Sequence, residues 1–121
     1  MASAPQCHVL VVDDDAAMRD SLRDILEDEG HDVVEAANGQ EALATIRSRN
    51  DIDLVLLDIM MPVMNGLEFL ASKVRDESIS SIPVVIMSAH LTTVDRVVGA
   101  NAIFSKPFNP AALLGKITEL C

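Results

Sequence analysis

Five short runs of β-branched and aliphatic residues divide the chain: "HVLVV" (8–12), "DVVEAA" (32–37), "DLVLLD" (53–58), "VVIMSA" (84–89) and "AIFSK" (102–106). Three of them are nearly unbroken apolar stretches. A strand with one wet face alternates apolar and polar residues; an unbroken strand needs cover on both faces, which is the condition of a parallel sheet between helices. The segments between the runs supply that cover. Met18, Leu22, Ile25 and Leu26 fall on one helical stripe, as do Leu67, Leu70, Ala71 and Val74, and again Leu113, Leu114, Ile117 and Leu120. Ala42, Leu43 and Ile46 mark a shorter stripe.

The punctuation agrees with this division. Asn38-Gly-Gln-Glu41 and Asn65-Gly-Leu-Glu68 each set a capping side chain three residues before a glutamate, a helix-start signature. Asn109-Pro110 sets a cap before a first-turn proline, and Gly30 follows the first helix as a stop. The order is βα five times, which predicts an α/β fold with a central parallel sheet and right-handed crossovers. In the fourth unit, "LTTVDRVVGAN" keeps only Val94, Val97 and Val98 as an apolar stripe. Short helices are marginal alone, so a short or partly unwound fourth helix is expected.

A chain of 121 residues forms one domain with one core. With no Trp or Tyr and three Phe, that core is aliphatic. The formal net charge of −10 opposes direct contact with nucleic acid or anionic membranes and suits a cation or a basic protein patch. No apolar run approaches the ~18 residues that span a bilayer. The opening "MASAPQ" lacks the basic and apolar regions of a secretory signal, and residues 1–7 read as a tail before a domain at 8–121. Cys7 and Cys121, at opposite ends of the chain, give no disulfide framework and point to a reduced cytoplasmic setting. Cys7 beside His8 is weak evidence for a metal pair.

In a parallel sheet, sites gather at the carboxyl ends of the strands. The first run ends at Asp13-Asp14, the third at Asp58, the fourth at Ser88-Ala89 and the fifth at Lys106-Pro107. Two carboxylates ~4 Å apart repel by roughly 4 kcal/mol at an effective dielectric near 20, so Asp13, Asp14 and Asp58 need a proton or a cation between them. A hard divalent ion with oxygen ligands fits, and Mg²⁺ is favoured where a phosphoryl group completes its shell. A carboxylate beside such an ion can attack phosphorus and form an aspartyl phosphate, and Asp58 is placed for that role. Ser88 can donate to one phosphoryl oxygen, and Lys106 can face another or Asp58 itself. Asp15, directly before the helix pattern, reads instead as that helix's cap.

These residues carry a family resemblance over nearly the whole chain, from about His8 to Leu120. "VLVVDDD", "LLDIMMPVMNG", "VVIMSA" and "FSKPF" resemble, in order, the acidic-pair, phosphoacceptor, hydroxyl and lysine segments of receiver domains of two-component response regulators. The resemblance implies a flavodoxin-like doubly wound (βα)5 fold with strand order 2-1-3-4-5. It implies that Asp58 accepts a phosphoryl group from a phosphohistidine of a sensor histidine kinase or phosphotransfer protein. Asp14 and Asp58 would bind Mg²⁺ directly, with the backbone carbonyl of Met60, and Asp13 would act through water. Ser88 and Lys106 would meet the phosphoryl group, Lys106-Pro107 would be cis, and Pro62 and Gly66 would shape the loop after Asp58. The implied setting is the bacterial cytoplasm, with an output domain or partner protein that the sequence does not name.

The chain departs from the family pattern at two places. Ile103 stands three positions before the lysine, where most receivers carry an aromatic switch residue. The stretch from Ser88 to Lys106 is shorter than in most relatives by roughly one helical turn, about four residues. Both departures bear on how a phosphorylated state is read, and they keep a phosphate-independent pseudo-receiver as the alternative. A Mg²⁺-dependent phosphohydrolase fits less well, because no Asp or Glu lies within two positions of Asp58 to serve as acid/base. Met60 and His90 occupy positions that tune dephosphorylation in the family. His90 reads equally as a water-orienting group or a solvated loop residue; apolar Met60 implies a persistent phosphoryl group.

Overall fold

The computed structural model describes residues 7–89 and 99–121. His90 and the fourth-helix stretch through Val98 lie outside the described residues. The elements run β1 (His8–Val12), α1 (Ala16–Asp28), β2 (Asp32–Ala36), α2 (Gly39–Ser48), β3 (Leu54–Asp58), α3 (Gly66–Arg75), β4 (Val84–Ser88), β5 (Ala102–Ser105) and α4 (Pro110–Leu120). All five strands are parallel, in the order β2-β1-β3-β4-β5. The expected flavodoxin-like doubly wound architecture is therefore present.

Because side chains alternate across a strand, each buried strand feeds two cores. Leu10, Val12, Val55, Leu57, Val84 and Ile86 face α2 and α3, where they meet Ala42, Ile46, Phe69 and Leu70. Val9, Val11, Leu54, Leu56, Val85 and Met87 face the other way and meet Leu22 and Leu26 of α1 and Leu113 and Ile117 of α4. β3 and β4 are buried along their whole length. This double burial explains their unbroken apolar runs.

The helix ends follow the expected chemistry. Asp15 caps α1, accepting from the N–H groups of Ala17 and Met18. Asn65 and Glu68 form a reciprocal capping box on α3, and Asn109 accepts from Ala111 and Ala112 at the start of α4. At the end of α1, Gly30 adopts φ 89°. Its N–H donates to the Glu27 carbonyl while that of His31 donates to Leu26, which closes the helix as a Schellman motif.

Three sequence expectations are corrected. The stripe assigned to α3 is rotated: Leu67 and Val74 are each 43% exposed, Ala71 is also exposed, and the buried face is Phe69, Leu70 and Lys73. The large ring of Phe69 takes the inward position, and the helix turns to follow it. Lys73 is 1% exposed, and its Nζ donates to the Ser80 carbonyl at 3.0 Å. Cys7, assigned to the tail, is buried in the α1/α4 core. The two cysteines, expected to stay apart, are joined as a disulfide across 114 positions, with Cα atoms 6.2 Å apart. The start of β1 and the end of α4 lie at the same end of the sheet, so the fold closes a separation that looks prohibitive in sequence.

Burial lowers the pKa of Lys73 from its ordinary value. The unfolded chain then holds more protons than the fold between the lowered value and the usual 10.5, so this group's contribution to stability rises with pH across that window. Lys73→Met removes the buried charge. Urea unfolding should show the Lys73→Met midpoint losing ground against the parent chain between neutral pH and the ordinary lysine range. A constant difference would exclude a desolvated ammonium.

Candidate functional site

Because the strands are parallel, β1, β3, β4 and β5 deliver their last residues to one edge of the sheet. Asp13 follows β1, and its N–H donates to the Ala36 carbonyl at 3.1 Å. Its carboxylate is 1% exposed. One oxygen, Oδ1, accepts from the Asp15 N–H at 2.9 Å, and Oδ2 meets Lys106 Nζ at 2.9 Å. Asp58, the last residue of β3, lies with Oδ1 3.6 Å from the same ammonium. Asp14 is exposed, yet it contributes a carboxylate oxygen to a set with Asp13 and Asp58 in which all three lie within 4.8 Å of one another. The sheet thus assembles the three sequence-predicted acids and Lys106 from residues up to 93 positions apart.

Burial raises the pKa of Asp58, and repulsion from Asp13 and Asp14 adds to it, against the pull of Lys106. For Lys106, burial acts to lower the pKa, but the hydrogen bond to Asp13 and the charges of Asp13 and Asp58 outweigh it and the net shift is upward. One ammonium among three carboxylates leaves an excess of negative charge, which a divalent cation with oxygen ligands would offset. The donor set of Asp13, Asp14 and Asp58 fits such an ion. Met60, the residue proposed to add its backbone carbonyl, has a side chain 62% exposed.

The lysine is fixed by its strand. Its backbone N–H donates to the Ser88 carbonyl at 2.8 Å, and the Lys106-Pro107 peptide is cis. Ser88, 1% exposed, ends β4 beside Asp58's strand. In β5, Ile103 pairs with Ile86 of β4 and packs against the α2/α3 core. At the position of the family's aromatic, the chain therefore has an aliphatic, partly buried residue on the edge strand.

Arg19 and Glu35, which brace Asp13, escaped the sequence reading. Arg19, on the first turns of α1, donates from Nη1 to the Asp13 carbonyl at 2.6 Å and from Nε to Glu35 at 3.0 Å. Glu35 also meets Arg23 Nε at 2.7 Å, and the hydrogen bonds from Arg23 and Arg19 hold its pKa below the usual carboxylate range. An arginine on a helix carries no sequence mark of which carbonyl it will reach. The loop after Asp58 is likewise anchored: Gly66 donates to the Ile59 carbonyl at 2.9 Å and Gly39 to Met64 at 2.8 Å. Between those anchors Val63 adopts φ 67°, a strained region for a β-branched residue.

Gly66 is required by a close approach. A Cβ there would stand 2.5 Å from the Asp58 carbonyl oxygen and 2.8 Å from Ile59 Cα. Both are backbone atoms of the site, so neither can swing aside. Gly66→Ala should destabilise the fold by about 1–3 kcal/mol in denaturant unfolding. An unchanged midpoint would show that the loop yields without cost.

A family model, the response regulator receiver domain, matches residues 9–118. The chain is 41% identical over 116 residues to a transcriptional regulatory protein CpxR homolog of Haemophilus influenzae, covering 93% of this chain and 49% of that protein. It is 36% identical to the alkaline phosphatase synthesis transcriptional regulatory protein SphR of Synechococcus elongatus, covering 98% of this chain and 50% of that one. The chain thus spans about half the length of these relatives. Among solved structures, the chemotaxis response regulator CheY4 of Vibrio cholerae superposes with a TM-score of 0.86 at 30% identity, covering 97% of this chain and all of that one. The Thermotoga maritima response regulator TrrA, solved in complex with Mg²⁺-BeF, gives 0.84 at 31% identity over 96% of this chain and 100% of that one. With the acids and the lysine assembled at one edge of a 2-1-3-4-5 sheet, the chain belongs to the response regulator receiver domain family.

Proposed function

We propose that this receiver accepts a phosphoryl group on Asp58 from a phosphohistidine of a sensor histidine kinase or phosphotransfer protein, in a Mg²⁺-dependent reaction, and relays the signal by conformational change. The observation that carries this reading is the convergence of Asp13, Asp14 and Asp58 within 4.8 Å, with Lys106 on two of them. Asp14, Asp58 and the Met60 carbonyl would hold the cation directly, with Asp13 acting through water. A Mg²⁺ bound there would supply positive charge to the phosphoryl oxygens as they transfer.

The chain's own residues have distinct parts. Asp58 Oδ attacks phosphorus, the P–N bond to the donor imidazole breaks, and the imidazole leaves with its electron pair. Lys106, freed from part of its contact with Asp58, turns its ammonium to a phosphoryl oxygen. The Ser88 hydroxyl donates to another. Asp13 keeps Lys106 aligned by the 2.9 Å pair, and Arg19 holds Asp13 through its carbonyl. The chain is a phosphoacceptor that promotes its own phosphorylation and dephosphorylation rather than an enzyme with an external substrate.

The setting follows from the same reading. Among the described residues no helix is long and apolar enough to cross a membrane. We place the receiver, residues 8–121, in the bacterial cytoplasm. The charge of −10 argues against direct nucleic-acid contact by this unit. Any DNA binding would belong to an output domain or partner protein. Ile103 in the switch region excludes a rotating ring at that position; Ser88, with repacking of Ile103 or the neighbouring Phe104, would carry the change.

Incubation with Mg²⁺ and a small-molecule phosphodonor should give a hydroxylamine-labile phosphoryl adduct by intact mass, absent in Asp58→Asn and without Mg²⁺. An adduct that persists in Asp58→Asn would sink the assignment; no adduct with the parent chain would favour the pseudo-receiver. In a second measurement, Met60→Asn should shorten the lifetime of the adduct, because a polar amide beside Asp58 can orient water. An unchanged decay would remove Met60 from that role.

A further inference from the structure

At the opposite edge of the sheet from the acids, three soft-ligand or nucleophilic groups meet that phosphoryl transfer does not use. Cys7 precedes β1 and is 3% exposed; His31 precedes β2 and is 4% exposed. Cys121 follows α4 and is exposed. Donor atoms of all three lie within 4.8 Å of one another. The Cα separation of 6.2 Å between the cysteines falls in the range a disulfide spans, about 4.4–6.8 Å. The pair is held on both sides. The Cys7 N–H donates to His31 Nδ1 at 3.2 Å and its carbonyl accepts from the Asp32 N–H at 2.9 Å. The Cys121 N–H donates to the Ile117 carbonyl at 2.9 Å.

We propose that Cys7 and Cys121 form a reversible thiol–disulfide clasp whose redox state sets how firmly α4 is held against the sheet. Among the described residues the helix is otherwise held by apolar packing alone: its fully buried side chains are Leu113 and Ile117, with Leu114 and Leu120 packed partly buried beside them, and the ion pair of Lys116 with Glu119 closes within the helix. Cys121 adds a covalent attachment at the end remote from Asn109. The difference in exposure sets the order of chemistry. The accessible Cys121 thiolate attacks a low-molecular-weight disulfide, breaking its S–S bond and releasing one thiolate. The buried Cys7 thiolate then attacks Cys121 Sγ, forming the internal bond and expelling the second. The protons of the two cysteines pass to the released thiolates, and the small disulfide is the species reduced. A small dithiol reverses both steps.

The test compares the oxidised chain, the same chain held in dithiol, and Cys121→Ser, by intact mass, amide hydrogen exchange and thermal unfolding. The oxidised chain should weigh two hydrogens less than the reduced one. Reduction should speed exchange at the α4 amides by about tenfold or more and lower Tm by several degrees. Cys121→Ser should match the reduced chain and ignore the redox buffer. Because Cys121 is exposed, that variant leaves the core intact, and alkylation of reduced parent chain at Cys121 provides a second route to the same state. Failure of the mass difference to form, or equal α4 exchange in the two states, overturns the clasp. So does stoichiometric Zn²⁺ binding by the reduced chain, lost in Cys121→Ser, that protects α4 as well as oxidation does: the trio would then be a metal site.

Discussion

The inner strands of a parallel sheet covered on both faces have no room for charge along their length, so their polar residues collect at the two edges where those strands begin and end. Because every strand here runs the same way, the carboxyl ends share one edge. Asp13, Asp58, Ser88 and Lys106 are neighbours there for that reason alone, although Lys106 and Asp13 are 93 positions apart. The apolar bodies of β1, β3 and β4 hold these residues in place, with Val9, Val12, Leu54, Leu57, Val84 and Met87 all fully buried. A rigid sheet can keep like charges close that a loop would let drift apart.

That enforced closeness is what gives the site its character. Three carboxylates within 4.8 Å are costly together, and Lys106 relieves only part of the repulsion. Burial is the largest cause of the raised pKa of Asp58, and repulsion from Asp13 and Asp14 adds to it against the pull of Lys106. A carboxylate in such surroundings gains from a divalent cation with oxygen ligands, which would offset the excess negative charge. The surrounding backbone is arranged with comparable economy of space. Gly66 lies against the Asp58 carbonyl, Arg19 grips the Asp13 carbonyl, and Val63 is held at φ 67° between the two loop anchors.

The amino-terminal edge shows the same logic with different residues. His8 lies among Asp32, Asp51 and Asp53, its ring nitrogens 3.3 to 3.8 Å from their carboxylates, and the Asp53 carboxylate also accepts the His8 N–H at 2.8 Å. These contacts secure the start of β1 beside β2 and β3. Cys7 and Cys121 meet one residue further out, where the first strand starts and the last helix stops. One edge collects the acids and Lys106, and the other joins Cys7 to Cys121 beside the His8 cluster.

Much of this was legible in the sequence because it is local or follows from alternation. The strand runs matched the observed strands to within a residue at each end, and Asp15, Asn38, Asn65 and Asn109 are caps as their spacing implied. Acids at the ends of apolar runs, with a lysine after the fifth, were visible as a converging set once the sheet was taken as parallel. Only the tertiary structure decided the rest. The periodicity of α3 allowed Leu67, Ala71 and Val74 to face inward, but Phe69 fills the space over the sheet and brings Lys73 with it. Arg19's reach to the Asp13 carbonyl depends on how α1 sits on the sheet. The pairing of Cys7 with Cys121 depends on the start of β1 and the end of α4 arriving at one edge. Sequence patterns encode which face of an element is apolar; packing selects the rotation of that face and which distant groups it brings into contact.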